Sequence, residues 1–340
     1  MKNRKLRNTV VMFLASLVCL CLVLHTFDGT GDIPSGGTPN SGLENTDSST
    51  ESATELPETE LPSELPSEPD SIPESEETEN TETAKPNKEL TYLEQCELDY
   101  VEPPVKRTLE EALEKIRQMS LYYPLLHIVY ENAEVYNPSL IAALAGNPEM
   151  TDFAAGVLTR EPVVTGGFRD DEIPEEYPLF LQWDIRWGYM PYGDTGGNMG
   201  SSGCGPTCLS MAIFYLTGDR SCTPDVVAKY SEDNGYYYSG AGTAWALLYD
   251  YPKLYGLTST AVSKSESRLK SELDKGNILI CSVKEGNFTS GGHFIVIYDY
   301  DENGFKVNDP KCVYTSRLTW TYQQIKNDFK QIWSIGRGDA

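Results

Sequence analysis

Between residues 31 and 84 the chain carries 15 acidic residues and no basic ones, set among Ser, Thr and Pro, as in "ESATELPETELPSELPSEPDSIPESEETENTETAK". Such a stretch cannot bury enough apolar surface to offset its ordering entropy, so residues 28–88 are expected to form an extended, self-repelling acidic stalk. Any folded core must therefore be built from the residues beyond it. Of the net charge of −24, residues 1–30 contribute +3 and residues 31–84 −15, which leaves −12 for residues 85–340. With no basic stripe and no interleaving of aromatic and basic residues, nucleic acid is not an expected partner.

Ahead of the stalk, Lys2, Arg4, Lys5 and Arg7 precede an apolar run from Val10 to Leu24. This basic flank followed by apolar residues reads as an export signal with its N-terminus inside. No small-x-small cleavage site follows, so residues 1–27 are expected to remain as a membrane anchor, with secretion the outcome if they are cleaved. The folded part then lies outside the cytoplasm, near the membrane and the cell wall. Cys19 and Cys21 lie in the anchor. Cys96, Cys204, Cys208, Cys222, Cys281 and Cys312 lie beyond it, and their irregular spacing lacks the paired pattern of a zinc site.

Residues 100–165 read as a helical region. Thr108 and Glu111 form a capping box ahead of "TLEEALEKIRQM", and prolines open "PLLHIVYENAEVY", "PSLIAALAG" and "PEMTDFAAGVL". His127 is expected to be a packing residue there. From 175 to 340 the texture changes to Gly-rich and aromatic loops, one central apolar helix and strand-like runs at 277–286, 293–300, 304–309 and 331–335. One helix followed by an antiparallel sheet indicates an α+β domain. Asp299, Asp301 and Asn303 read as a hairpin turn, not a calcium loop.

Chemistry is suggested by "SSGCGPTCLSMAIFYL", 201–216. Cys204 falls where a helix begins, with Pro206 in the first turn and Leu209, Ile213 and Leu216 at helical spacing. A helix N-terminus favours the thiolate, and Gly203 and Gly205 are expected to leave the backbone open to a substrate carbonyl. Cys208, one turn later, reads as a small core residue. A thiolate nucleophile needs a proton acceptor. Of the three histidines, His25 is in the anchor and His127 in the helical region, so His293 is the candidate base. It follows "SGG", whose glycines let a substrate pass close to the ring. Sixteen residues on, "VNDP" offers Asn308 or Asp309 to orient the imidazole. Upstream, the Gln182 amide is a candidate to join the Cys204 N–H in an oxyanion hole. Trp183, Trp187 and Trp245 either line a cleft or pack in the core. Strand alternation puts Asp309 on the apolar side with Val307, and Asn308 on a wetter side with Lys306.

The order Gln, Cys, His, Asp, carried by "QWDIRW", "GCGPTCLSMA", "GTAWALL", "GGHFIVIYDYDENGFKVNDP" and "IWSIGR", resembles the papain-like cysteine peptidases. The resemblance is closer to the exported bacterial relatives of the double-glycine leader peptidases, cysteine-peptidase family thirty-nine. It implies a papain-like α+β fold in which a central helix carrying the nucleophile packs on an antiparallel sheet. It also implies Cys204 as nucleophile, His293 as base, Asp309 as orienter and Gln182 in the oxyanion hole, with no cofactor and no metal. The double-glycine specificity is not carried over. The expected function is a membrane-tethered extracytoplasmic peptidase acting on a peptide or protein. The alternatives are an amidase or endopeptidase of the same chemistry acting on cell-wall peptides, and a non-catalytic surface binding module that keeps the fold.

Overall fold

A computed structural model describes residues 101–338. The expected anchor at 1–27, the acidic stalk at 28–88 and Cys96 lie outside the described residues. Among those described, no helix is long and apolar enough to cross a membrane.

The helical region begins where the sequence signals it. Helix α1, Leu109–Met119, starts at the Thr108–Glu111 capping box, both halves of which form; such a cap is worth ~1 kcal/mol. It is followed by α2, Leu126–Glu131, by α3, Pro138–Gly146, with Asn137 capping and Pro138 at its first position, and by α4, Thr151–Gly156. Between α3 and α4 a single 3-10 turn spans Pro148–Met150. Ile116, Leu126, Val129, Leu140, Ile141 and Leu144 close a small core between these helices. His127 is not in that core. It is exposed on the short α2, whose buried positions are Leu126 and Val129.

The remaining chain forms an α+β domain. It runs through α5, Met199–Ser202, α6, Cys204–Thr217, and α7, Pro224–Asp233, to a small ribbon of β1, Tyr237–Tyr238, and β2, Gly242–Thr243. Then follow α8, Trp245–Asp250, β3, Leu257–Val262, α9, Glu266–Leu273, β4, Ile278–Val283, β5, His293–Asp301, and β6, Gly304–Asn308. The chain ends with α10, Val313–Arg317, β7, Thr319–Trp320, α11, Tyr322–Ile325, and β8, Phe329–Arg337. Six strands form one antiparallel sheet in the order β3-β8-β4-β5-β6-β7. The expected strands are thus present, and β5 and β6 are joined by the hairpin turn at Asp301–Gly304, where the Asn303 N–H donates to Asp301 Oδ1 at 2.8 Å.

Helix α6 is buried from Gly205 to Leu216. A helix apolar on all sides belongs at the centre of a fold, and here it packs on one face of the sheet with Phe294, Val296 and Trp333. The other face is closed by a second layer that includes Leu269 of α9 and Ile325 of α11. Gly218, left-handed at φ 72°, ends α6. The helical region and the sheet domain share contacts. Trp183 packs against both cores, and the Phe153 ring stacks on Tyr189 with centroids 4.6 Å apart. Phe153 also lies so close over Gly200 that a Cβ there would come within 2.1 Å of the ring.

Candidate active site

The site is assembled where α6 starts against the end of β5. Asn198 and Ser201 form a capping box that sets α5. One residue, Gly203, separates it from Cys204 at the first position of α6. The backbone N–H groups at such a helix start have no intrahelical partners and attract negative charge. The two glycines serve packing and not the open access expected of them. A Cβ at Gly203 would strike Met199, and one at Gly205 would lie 2.9 Å from three atoms of the Thr243 side chain. Only glycine lets β2 approach the start of α6 this closely.

His293, the first residue of β5, is buried and hydrogen-bonded to the Cys204 side chain. Its Nε2 lies 2.7 Å from Asp309 Oδ1, which leaves Nδ1 as the nitrogen facing the thiol. Burial alone would push the Cys204 thiol up. The hydrogen bond and charge of His293, with backbone hydrogen bonds from Phe294 and Gly205, outweigh it and hold the thiol below its ordinary range. Burial likewise disfavours a charged His293, but the Asp309 carboxylate and the thiolate raise it above the usual histidine range. Against its own burial, Asp309 is held low by His293 and Lys311. Each of the three shifts favours the charged form of its group, and the three groups form one line from thiol to imidazole to carboxylate.

The Asp309 carboxylate has three donors. Besides His293, the Lys311 N–H donates to Oδ1 at 2.9 Å and the Thr315 hydroxyl to Oδ2 at 2.9 Å, while the Asp309 N–H donates to Ser316 Oγ at 2.8 Å. Asn308 does not reach the imidazole. Its Nδ2 donates to Tyr177 O at 3.0 Å and to the Tyr215 hydroxyl at 2.6 Å. The expectation of a wetter face for Asn308 is incorrect, since it is fully buried. The sheet is covered on both sides, and the Lys306 that suggested a wet face is paired with Asp299 at 3.0 Å. A bulge at Tyr298 shifts the β5–β6 register, but it lies towards the turn, so Val296 still faces Asn308 and the Asp309 side is unchanged.

Gln182 is buried, and its Nε2 donates to Gly200 O at 2.7 Å, leaving the second amide proton for a ligand. Gln182, Cys204, His293 and Asp309 all line one cleft of about 460 Å³. Gly291 and Gly292 are exposed at its mouth. Of the tryptophans, Trp187 is core, Trp183 donates its indole N–H to Lys311 O at 2.7 Å beside the site, and Trp245 is 43% exposed. Cys208 is fully buried, as a small core residue should be, and burial drives its thiol well up. Cys204, Cys208, Cys222, Cys281 and Cys312 are all free thiols. Among the described residues no cluster of His, Cys, Asp and Glu is arranged to hold a metal ion.

Sequence reasoning missed the contribution of the helical region. Ser139, Ala142, Ala143 and Gly146 of α3 and the segment 101–105 form part of the cleft wall. The small residues at three- and four-residue spacing along α3 carry that signal, because a helix that must leave room for a ligand presents a low surface to it.

Residues 174–339 match the model of the Peptidase_C39 like family. A crystal structure of the peptidase domain of Streptococcus ComA, described as a bi-functional ABC transporter involved in a quorum sensing pathway, aligns with 43% of this chain and 93% of that one, at 18% identity and a TM-score of 0.32. No curated protein matches the chain.

Proposed function

We propose, from the premise that residues 174–339 belong to the Peptidase_C39 like family, that this chain is a thiol peptidase working through Cys204, His293 and Asp309, with Gln182 in the oxyanion hole. The observation that carries the reading is the unbroken line from thiol to imidazole to carboxylate, in which all three groups are buried or half-buried and each shifts its neighbour towards the charged form.

In this mechanism the Cys204 thiolate adds to a peptide carbonyl carbon. The developing oxyanion takes hydrogen bonds from the free amide proton of Gln182 and from the N–H of Cys204 at the start of α6. His293 returns the proton it holds at Nδ1 to the departing amine, the C–N bond breaks, and a thioester remains on Sγ. Water then loses a proton to His293 and adds to the thioester carbon, the C–S bond breaks, and the acid leaves, which restores the Cys204 thiolate beside the protonated His293. Asp309 stays ionised and stabilises the imidazolium. The substrate is a peptide or protein segment entering past Gly291 and Gly292. The run from Val10 to Leu24 behind its basic flank serves as an anchor and the acidic tract as a spacer, so that the domain works outside the cytoplasm.

Incubating the full chain with a peptide library and identifying the products by mass spectrometry tests the activity. New amide cleavages, lost in Cys204→Ala, are expected. Absence of cleavage together with an unreactive Cys204 would leave only a binding role. Protease shaving of intact cells tests the location, and full protection of the domain would refute an outside position.

A further inference from the structure

The carboxylate that orients His293 is not held by the sheet. Asp309 is one residue past β6, and two of its three side-chain partners, Lys311 N–H and the Thr315 hydroxyl, come from the loop and helix start that follow. That segment is gripped from its other side by residues outside the family-matched part of the chain. Asn147 Nδ2 donates to Lys311 O at 2.8 Å. Glu149 accepts the Val313 N–H on Oε2 at 2.7 Å and the Tyr314 N–H on Oε1 at 2.8 Å. Those are the first two backbone donors of α10, whose own N-cap residue, Cys312, provides no side-chain cap. Glu149 therefore caps α10 from 164 residues away. Asn147 holds the clamp in shape, since its Oδ1 accepts the Glu149 N–H at 3.0 Å.

We propose that Glu149 is a positioning residue for the thiol chemistry, fixing the Lys311–Thr315 segment so that Asp309 is presented to His293, and that the helical region is thereby a working part of the site. This rests on the thiol–imidazole reading above. A carboxylate bridging two adjacent N–H groups locks both the position and the tilt of the segment, and a buried orienter tolerates little displacement. Loosening the clamp lets Lys311 and Thr315 drift from Asp309. The imidazolium then loses its counter-charge, and with it the thiolate loses its partner.

The test is the pH profile of iodoacetamide alkylation at Cys204, followed by mass spectrometry on the full chain. In wild type the inflection should lie below the free-thiol value of about 8.5. Glu149→Ala should raise it by about one unit, which is a roughly tenfold loss of thiolate on the acid side. Glu149→Gln keeps one acceptor oxygen at nearly the same volume, and should fall between the two. Thr315→Ala should shift the inflection in the same sense, and the double substitution should give less than the sum, because both act on one carboxylate. The other titratable groups that face the thiol, Cys208, Tyr192 and Tyr237, are unaltered in all of these variants. Ile116→Ala opens the helical core without touching the segment; it should lower Tm and leave the inflection in place. A wild-type inflection in both Glu149 variants would overturn the proposal and leave Glu149 a purely structural cap. A free-thiol inflection in wild type itself would instead overturn the thiol–imidazole reading, and this inference with it.

Discussion

Cys204 and Cys208 are the same side chain one helical turn apart, and their surroundings give them opposite chemistry. Burial, complete at Cys208 and partial at Cys204, raises a thiol. Cys204 alone has an imidazole and converging backbone donors to reverse the effect, whereas around Cys208 the charges of Cys204 and Asp309 add to it. Cys281 and Cys312 are likewise driven up, Cys281 by burial and Cys312 by burial with Glu149 and Asp309 beside it. In the folded protein, brief alkylation at pH 6 should therefore label Cys204 and leave Cys208, Cys281 and Cys312 intact, as peptide mapping will show. The sign of the pH dependence follows from the two partners. Cys204 deprotonates below its ordinary value and His293 deprotonates above its own, and both shifts widen the pH range in which thiolate and imidazolium coexist. Turnover should climb as pH rises through the Cys204 value and fall once His293 loses its proton. Cys204→Ala should abolish turnover with little change in Tm, and Cys208→Ala should keep most of it. The reverse pattern would exchange their roles.

At the end of β6 two neighbouring residues divide structure from chemistry. Asn308 ties the strand to Tyr177 and to the Tyr215 hydroxyl on α6, while Asp309 reaches His293. Asp309→Ala should move the alkylation inflection towards the free thiol and cut kcat severely, with Asp309→Asn intermediate because shape remains and charge is lost. Asn308→Ala removes a buried donor from the Tyr177 carbonyl and from the Tyr215 hydroxyl, which keeps its own bond to Pro178 O. It should cost about 1–3 kcal/mol in denaturant unfolding and keep the wild-type pH profile; a shifted profile would make Asn308 part of the chemistry. The two positions also show how far the pattern of the chain carries. Period-two alternation set Asp309 apart from Asn308, and the two side chains do go to different partners, although Asp309 lies one residue past β6. It cannot say whether the second face meets water or another layer, since that depends on where α6 and α9 return. Local signals were legible: the Thr108 box, the proline at the start of α3 and the hairpin after Asp301 are decided within a few residues. Glu149 and the wall made by α3 were not, because their meaning comes from partners up to 165 residues distant.

The helical region and the sheet domain each have a core, yet their boundary is not a hinge. Phe153 fills the space over Gly200, whose carbonyl accepts the Gln182 amide, so a helical-region ring lies directly behind a candidate oxyanion donor. Trp183 belongs to both cores while its indole holds Lys311 O, and Asn147 and Glu149 grip the segment after Asp309. The segment joining the two parts is itself pinned, with Arg186 donating to both Glu172 and Asp184 at 2.7–2.9 Å and Glu172 fully buried. A buried charge so matched is strongly destabilising only when one partner is removed, which discourages partial opening along this seam. Residues 101–338 should therefore unfold as one cooperative unit, and calorimetric and van't Hoff enthalpies should agree. The decisive variant is Ile116→Ala, in the helical core and remote from the thiol. Removing this fully buried side chain should cost about 2–5 kcal/mol. In a cooperative unit of this size each kcal/mol lowers Tm by roughly 2–4 °C, and fluorescence from Trp333 and Trp187, deep in the sheet domain, should report the same lowered Tm as the helical circular dichroism. If the tryptophan signal kept the wild-type midpoint while the helices melted early, the two cores would be independent, and the clamp at Glu149 would release without disturbing the sheet.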